Sequence, residues 1–171
     1  MSVMAQLISQ KEAVVSKWLD LVIDTYPPET ARFLRGQKDP FANPVGQTTR
    51  QSLAILVDMV FADMDEAAAI NALDPIIRIR AIQAFTPAQA VAFVFELKPI
   101  LRKVAGAATA DQAWAQLDGR IDRLVLMAFD IYMQCREKIY ELKANEMKNT
   151  TYKAFARAGL IKDPDQGAGN E

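Results

Sequence analysis

Few side chains in this sequence are equipped for chemistry. Among its 171 residues there is no histidine and a single cysteine, Cys135. Histidine has the side-chain pKa nearest neutrality and is the commonest metal ligand. Its absence removes the usual general base, proton shuttle and haem ligand together. One thiol cannot build a zinc or iron–sulfur centre, nor an intramolecular disulfide, and this usage suits a reducing compartment. Cys135 falls on an apolar helical seam, where a buried, inert thiol is expected. Two acidic pairs, Asp20 with Asp24 and Asp118 with Asp122, each share a helix face. Lys17, Arg120 and Arg123 stand close to them, which predicts a salt-bridged surface rather than a metal site. There is no Gly-rich phosphate loop, calcium-loop spacing or serine-centred nucleophile motif. No cofactor and no catalytic residues are expected.

Arg78 and Arg80 are the exception worth pursuing. Two positions apart on a helix, they point about 200° from one another. Arg78 shares a face with Ile82 and Phe85, whereas Arg80 lies nearer Ile76, Ile77 and Ala84. Both cannot occupy one polar stripe. At least one is therefore expected to be half-buried, paired with a carboxylate such as Glu66 or Glu96. The alternative partner is a ligand anion, with Arg78, Arg80 and the nearby Gln83 as the contact residues.

The elements that position these residues read as helices. Ala, Leu, Ile, Met, Glu and Lys fill the long stretches, and apolar positions recur at helical spacing. Ser2 caps a first helix that the Pro27-Pro28 pair stops near Tyr26. A short helix from Pro28 to Gly36 follows, then a loop from Gly36 to Gly46 in which Asp39 makes a side-chain turn, Phe41 plugs the core and Pro44 fixes the start of the next helix. That helix runs from about Thr48 to Met64. After an Ala-rich connection, Asp74-Pro75 reads as cap and first residue of a fourth helix ending near Phe85. Thr86-Pro87 opens a fifth, to about Val104, with a kink at Pro99 and an apolar surface that predicts a central position. A last long helix begins near Thr109 or Asp111. Its seam comprises Ile121, Val125, Ala128, Tyr132, Cys135, Ile139 and Leu142. One domain over 1–160 and a disordered tail over 161–171 are expected.

The charge balance, 20 basic against 21 acidic residues, gives no field that would draw the chain to nucleic acid. No stretch approaches the roughly 20 apolar residues that span a bilayer, and the N-terminus lacks the pattern of a secretory leader. A cytoplasmic protein without membrane insertion is expected. Past the point where the seam fails, Tyr140, Met147, Tyr152 and Phe155 have no evident cover. A homodimer that buries them is the expected solution.

Two segments resemble one family. The first is Asp39-Pro40-Phe41-Ala42-Asn43-Pro44-Val45-Gly46 with the Leu-rich helix after it. The second is Ile77-Arg78-Ile79-Arg80-Ala81-Ile82-Gln83-Ala84-Phe85-Thr86-Pro87-Ala88-Gln89-Ala90-Val91, continuing through Phe93 to Lys98. Together with Trp18 they look like the N-terminal domain of the RsbRD type, the input module of stressosome RsbT co-antagonist proteins and of some sensor histidine kinases. The resemblance implies an all-α, globin-like, non-haem helical bundle, here with a long C-terminal helix. It also implies regulatory or sensory input through a protein partner in a signalling or redox complex, because the output domain usual in the family does not follow the last helix. A reading from another class is a small-molecule or lipid carrier with an apolar cavity in the same bundle.

Overall fold

Ser2 opens the first helix as expected: its Oγ accepts a hydrogen bond from the Ala5 N–H at 3.2 Å. The computed structural model describes residues 2–36, 41–83, 85–106 and 112–161. Eight helices and no strand are present among them. They are α1 (Val3–Ser9), α2 (Lys11–Asp24), α3 (Pro28–Gly36), α4 (Pro44–Phe61), α5 (Glu66–Ile82), α6 (Pro87–Phe95), α7 (Leu97–Ala105) and α8 (Ala113–Arg157). The protein is all-α with a long C-terminal helix, as the sequence predicts. The expected turn at Asp39, the start of the last helix near Thr109 or Asp111, and the tail over 162–171 lie outside the described residues.

The chain divides into two units, Met1–Met133 and Gln134–Glu171. Within the first, α2 is the hub and packs against α1, α3, α4, α6 and α7. Its buried face carries Val14, Val15, Trp18, Val22 and Ile23. The hub is thus α2 rather than the apolar segment after Thr86. The first unit also takes the opening part of α8, whose Trp114, Leu117, Ile121, Leu124, Val125, Ala128, Ile131 and Tyr132 are buried along one face of the helix. In the second unit, Cys135 is only partly covered, not buried as its place on the seam suggested. Leu142 is exposed.

The helix expected from about Thr48 to Met64 is α4, Pro44–Phe61, opened by the Asn43 cap, and three further boundaries differ from expectation for a local reason. The first helix breaks at Gln10 into α1 and α2. There the Ser9 hydroxyl donates to the Gln6 carbonyl at 2.7 Å, competing with the helical ladder. The Ala-rich segment is not a connection but the first turn of α5, capped by Asp65, whose Oδ1 accepts from the Ala68 N–H. Pro75 therefore sits inside a helix and costs about 3 kcal/mol. Burial of Leu73, Ile76 and Ile77 beside it contributes about 1.5–3 kcal/mol each, enough to offset that cost.

The third difference is at Pro99. One kinked helix was expected, but two helices meet at Glu96. A proline denies a partner to the carbonyl four residues back, which is Phe95, the last residue of α6. Pro99 then stands in the first turn of α7, where a backbone N–H would be unsatisfied in any case. The break has a consequence inside the core. The Trp18 indole N–H donates to the Phe93 carbonyl at 2.7 Å in a buried bond, and the two rings lie 6.0 Å apart.

Phe41 does not plug the core; it is 96% exposed. The anchor of that loop is Asn43. Its Oδ1 accepts from the Gly46 N–H, and its Nδ2 donates to the Leu34 carbonyl, both at 2.9 Å, so the end of α3 is tied to the start of α4. A Cβ at position 46 would come within 2.4 Å of the Asn43 amide, so only glycine leaves room for this cap.

Replacing Trp18 by Phe keeps a smaller aromatic ring and removes the donor, leaving the Phe93 carbonyl buried without its partner beside the vacated volume. The expected loss is about 1–3 kcal/mol in urea unfolding with the helical content unchanged. An unaltered midpoint would show that the bond contributes nothing.

Candidate functional site

The chemistry-bearing residues separate cleanly in space. Arg78 is exposed and forms an i,i+4 ion pair with Asp74 at 2.6 Å, a surface interaction of small value. Arg80, two residues on, is 0% exposed. The opposed directions predicted for the two are borne out, but the expected carboxylate partner of Arg80 is not. Glu66 is engaged with Arg123 instead, and Arg80 meets neither it nor Glu96. Three of the four carboxylates in the acidic pairs are claimed by cations on other helices. Asp24 pairs with Arg35, Asp118 with Arg102 and Asp122 with Lys98.

What surrounds Arg80 is aromatic. Its guanidinium carbon lies 4.7 Å from the Phe93 ring centroid, 5.0 Å from that of Phe85 and 5.4 Å from that of Tyr26. These rings come from the segments after α2, after α5 and within α6. Nη2 donates to the Thr25 hydroxyl at 2.8 Å, and Nη1 donates to the Gln89 carbonyl at 3.3 Å. The Thr25 hydroxyl in turn donates a hydrogen bond to the Val22 carbonyl at 2.6 Å. Nε has no hydrogen-bond partner among the described residues. Burial pulls the Arg80 guanidinium below its ordinary pKa, opposed by Tyr26. Burial likewise raises the Tyr26 hydroxyl, opposed by the Arg80 charge, so Tyr26 stays protonated and keeps a donor.

The local sequence builds this arrangement economically. Pro27 and Pro28 end the α2 segment and set Tyr26 against α5. Thr86 and Gln89 form a reciprocal capping box at the start of α6: Thr86 Oγ1 accepts from the Gln89 N–H, and Gln89 Oε1 accepts from the Thr86 N–H. Tyr132 on α8 donates to the Phe85 carbonyl and fixes that turn.

Beside the guanidinium lies an open cleft of about 570 Å³ lined by Thr25, Tyr26, Pro27, Gln83, Phe85, Gln89 and Ala92. Of the sequence-predicted contact residues, Gln83 lines this cleft, Arg80 lies behind its wall and Arg78 is not among its lining. Sequence reasoning missed Thr25, Tyr26 and Gln89. The signal available for them was the Thr86-x-x-Gln89 capping box and the proline pair after Tyr26. Among the aromatic side chains of α6 and α8, Phe93, Trp114 and Tyr132 are buried, while Phe95 and Phe129 are substantially exposed.

The four predicted interface residues, Tyr140, Met147, Tyr152 and Phe155, are all exposed and all lie in the second unit. Among the described residues no cluster of three or more acidic or thiol side chains could hold a metal ion. No helix there is long and apolar enough to cross a membrane.

Among the described residues the fold is helical throughout, and a buried cation lies beside an open cleft. The chain matches the family model described as the RsbT co-antagonist protein rsbRD N-terminal domain over residues 12–147, and it belongs to that family. No curated protein and no solved structure matches it. The family is one of regulatory input domains, not one of known catalytic function.

The missing carboxylate changes what removing Arg80 should do. A broken ion pair would strand a buried charge and cost about 3–5 kcal/mol. Here the Thr25 hydroxyl keeps its bond to Val22, and nothing charged is left behind. Arg80→Met is expected to change unfolding free energy by less than about 1.5 kcal/mol. A loss above about 3 kcal/mol in denaturant unfolding would reveal a charged partner.

Proposed function

We propose that this domain is a non-catalytic regulatory input module that acts by binding protein, with the later part of α8 as its docking surface and a second copy of the chain as the first occupant. The reading includes a haem-free, globin-like arrangement of the bundle, a cytoplasmic setting and a further protein partner in a signalling or redox complex. Family membership supports the regulatory role. The observation that carries the docking surface is the exposure of large apolar side chains in the second unit, with Met147 at 71% and Tyr140 at 58%. Tyr140, Ala144, Met147, Thr151 and Ala154 follow one another at alternating four- and three-residue spacing, and Phe155 and Tyr152 flank that stripe. Such a stripe in water is unfavourable unless another surface covers it. A two-fold pairing of identical stripes is the simplest cover.

Light scattering at micromolar concentration tests this. The expected mass is twice the 19.0 kDa of one chain, falling to one chain when Tyr152→Ser and Phe155→Lys are combined. A wild-type mass of 19.0 kDa would overturn the self-association.

A further inference from the structure

The buried guanidinium and the cleft share a wall. Of the seven residues that line the cleft, Thr25 and Gln89 accept hydrogen bonds from Arg80, and Tyr26 and Phe85 lay their rings against it. None of the seven is acidic or basic. Arg80 carries a full positive charge that no carboxylate answers among the described residues, and its Nε is unpaired. A charge in a poorly polarisable interior is weakly screened, so its field emerges into the nearest space that a ligand can enter. That space is this cleft.

The lining supplies what an anion needs at its surface. The Tyr26 hydroxyl stays protonated, and the exposed Gln83 amide stands at the rim. The Gln89 amide oxygen is committed to the Thr86 N–H, which leaves its NH₂ group as a donor. Pro27, Phe85 and Ala92 supply an apolar flank. The volume lies within the range of small-molecule sites.

We propose that this cleft binds a small organic monocarboxylate, its carboxylate against Tyr26, Gln83 and Gln89 with Arg80 behind them, and its apolar part along Pro27, Phe85 and Ala92. One buried cation with no second one in the lining matches one negative charge; a dianionic phosphate would leave a charge unanswered. This goes beyond the docking reading, since the cleft lies in the first unit and the proposed docking residues in the second.

Calorimetric titration of the full chain with hexanoate, with hexanamide as its neutral counterpart and with inorganic phosphate, tests the proposal. Hexanoate is expected to bind at least about tenfold more tightly than hexanamide and than phosphate. In Arg80→Met, checked for helical content by circular dichroism, the preference for hexanoate over hexanamide should vanish. Gln83→Glu, at an exposed position, serves if the Met variant does not fold. It should weaken hexanoate about tenfold more than it weakens hexanamide. Equal binding of acid and amide, no binding of hexanoate, tighter binding of phosphate, or a Gln83→Glu variant that binds hexanoate as the wild type does would each overturn the site.

Discussion

A guanidinium taken wholly out of water sets the constraint around which this bundle is organised. Desolvating a cation costs several kcal/mol, and the usual remedy is a carboxylate at hydrogen-bond distance. Arg80 has none among the described residues. It is held instead by three aromatic faces, a threonine hydroxyl and a backbone carbonyl. Each ring contact contributes about 0.5–2 kcal/mol, most where water is excluded, and each bond to the charged group about 1.5–3 kcal/mol. The sum is of the same order as the penalty. These contacts come from the ends of α2 and α5 and from α6, so one side chain meets all three helices.

The same junction explains the unusual backbone nearby. Phe93 offers its face to Arg80 and its carbonyl to Trp18, so a single residue on α6 serves both the buried cation and the central helix. Pro99 leaves the Phe95 carbonyl without a helical donor, and the chain passes from α6 into α7 at Glu96. The capping box at Thr86 and Gln89 secures the other end of α6, and the Gln89 carbonyl is itself an Arg80 acceptor. A helix of nine residues is marginal alone. Here both its ends are tied to the site.

How far this was legible in the sequence depended on whether the signal was local. Ser2, Pro28 and Thr86-Pro87 place helix starts where they are found, because caps and N-terminal prolines act within one turn, whereas α4 starts at Pro44 rather than near Thr48. The seam of α8 was readable as far as Tyr132. Pro75 and Pro99 misled, since a proline states only that one hydrogen bond is missing. Tertiary burial decides whether the helix runs through it, as in α5, or breaks upstream, as before α7. The spacing of Arg78 and Arg80 required that one be buried, and Arg80 is. The nature of its partners was not readable, because Tyr26 is distant in sequence and aromatic residues such as Phe85 and Phe93 look alike whether they pack on leucine or on a cation. Phe41 illustrates the converse error: an apolar residue in a loop was assigned to the core, while the polar Asn43 two positions on does the anchoring.

The most direct test of the buried, ring-enclosed cation is the nitrogen–proton spectrum of the arginine side chains, with Arg80 assigned by its loss in Arg80→Met. The Arg80 Nε–H resonance is expected well away from the position of solvated arginines, displaced by the ring currents of Tyr26, Phe85 and Phe93, and protected from exchange with water. A resonance at the solvated position that exchanges as fast as that of the exposed Arg78 would contradict the account.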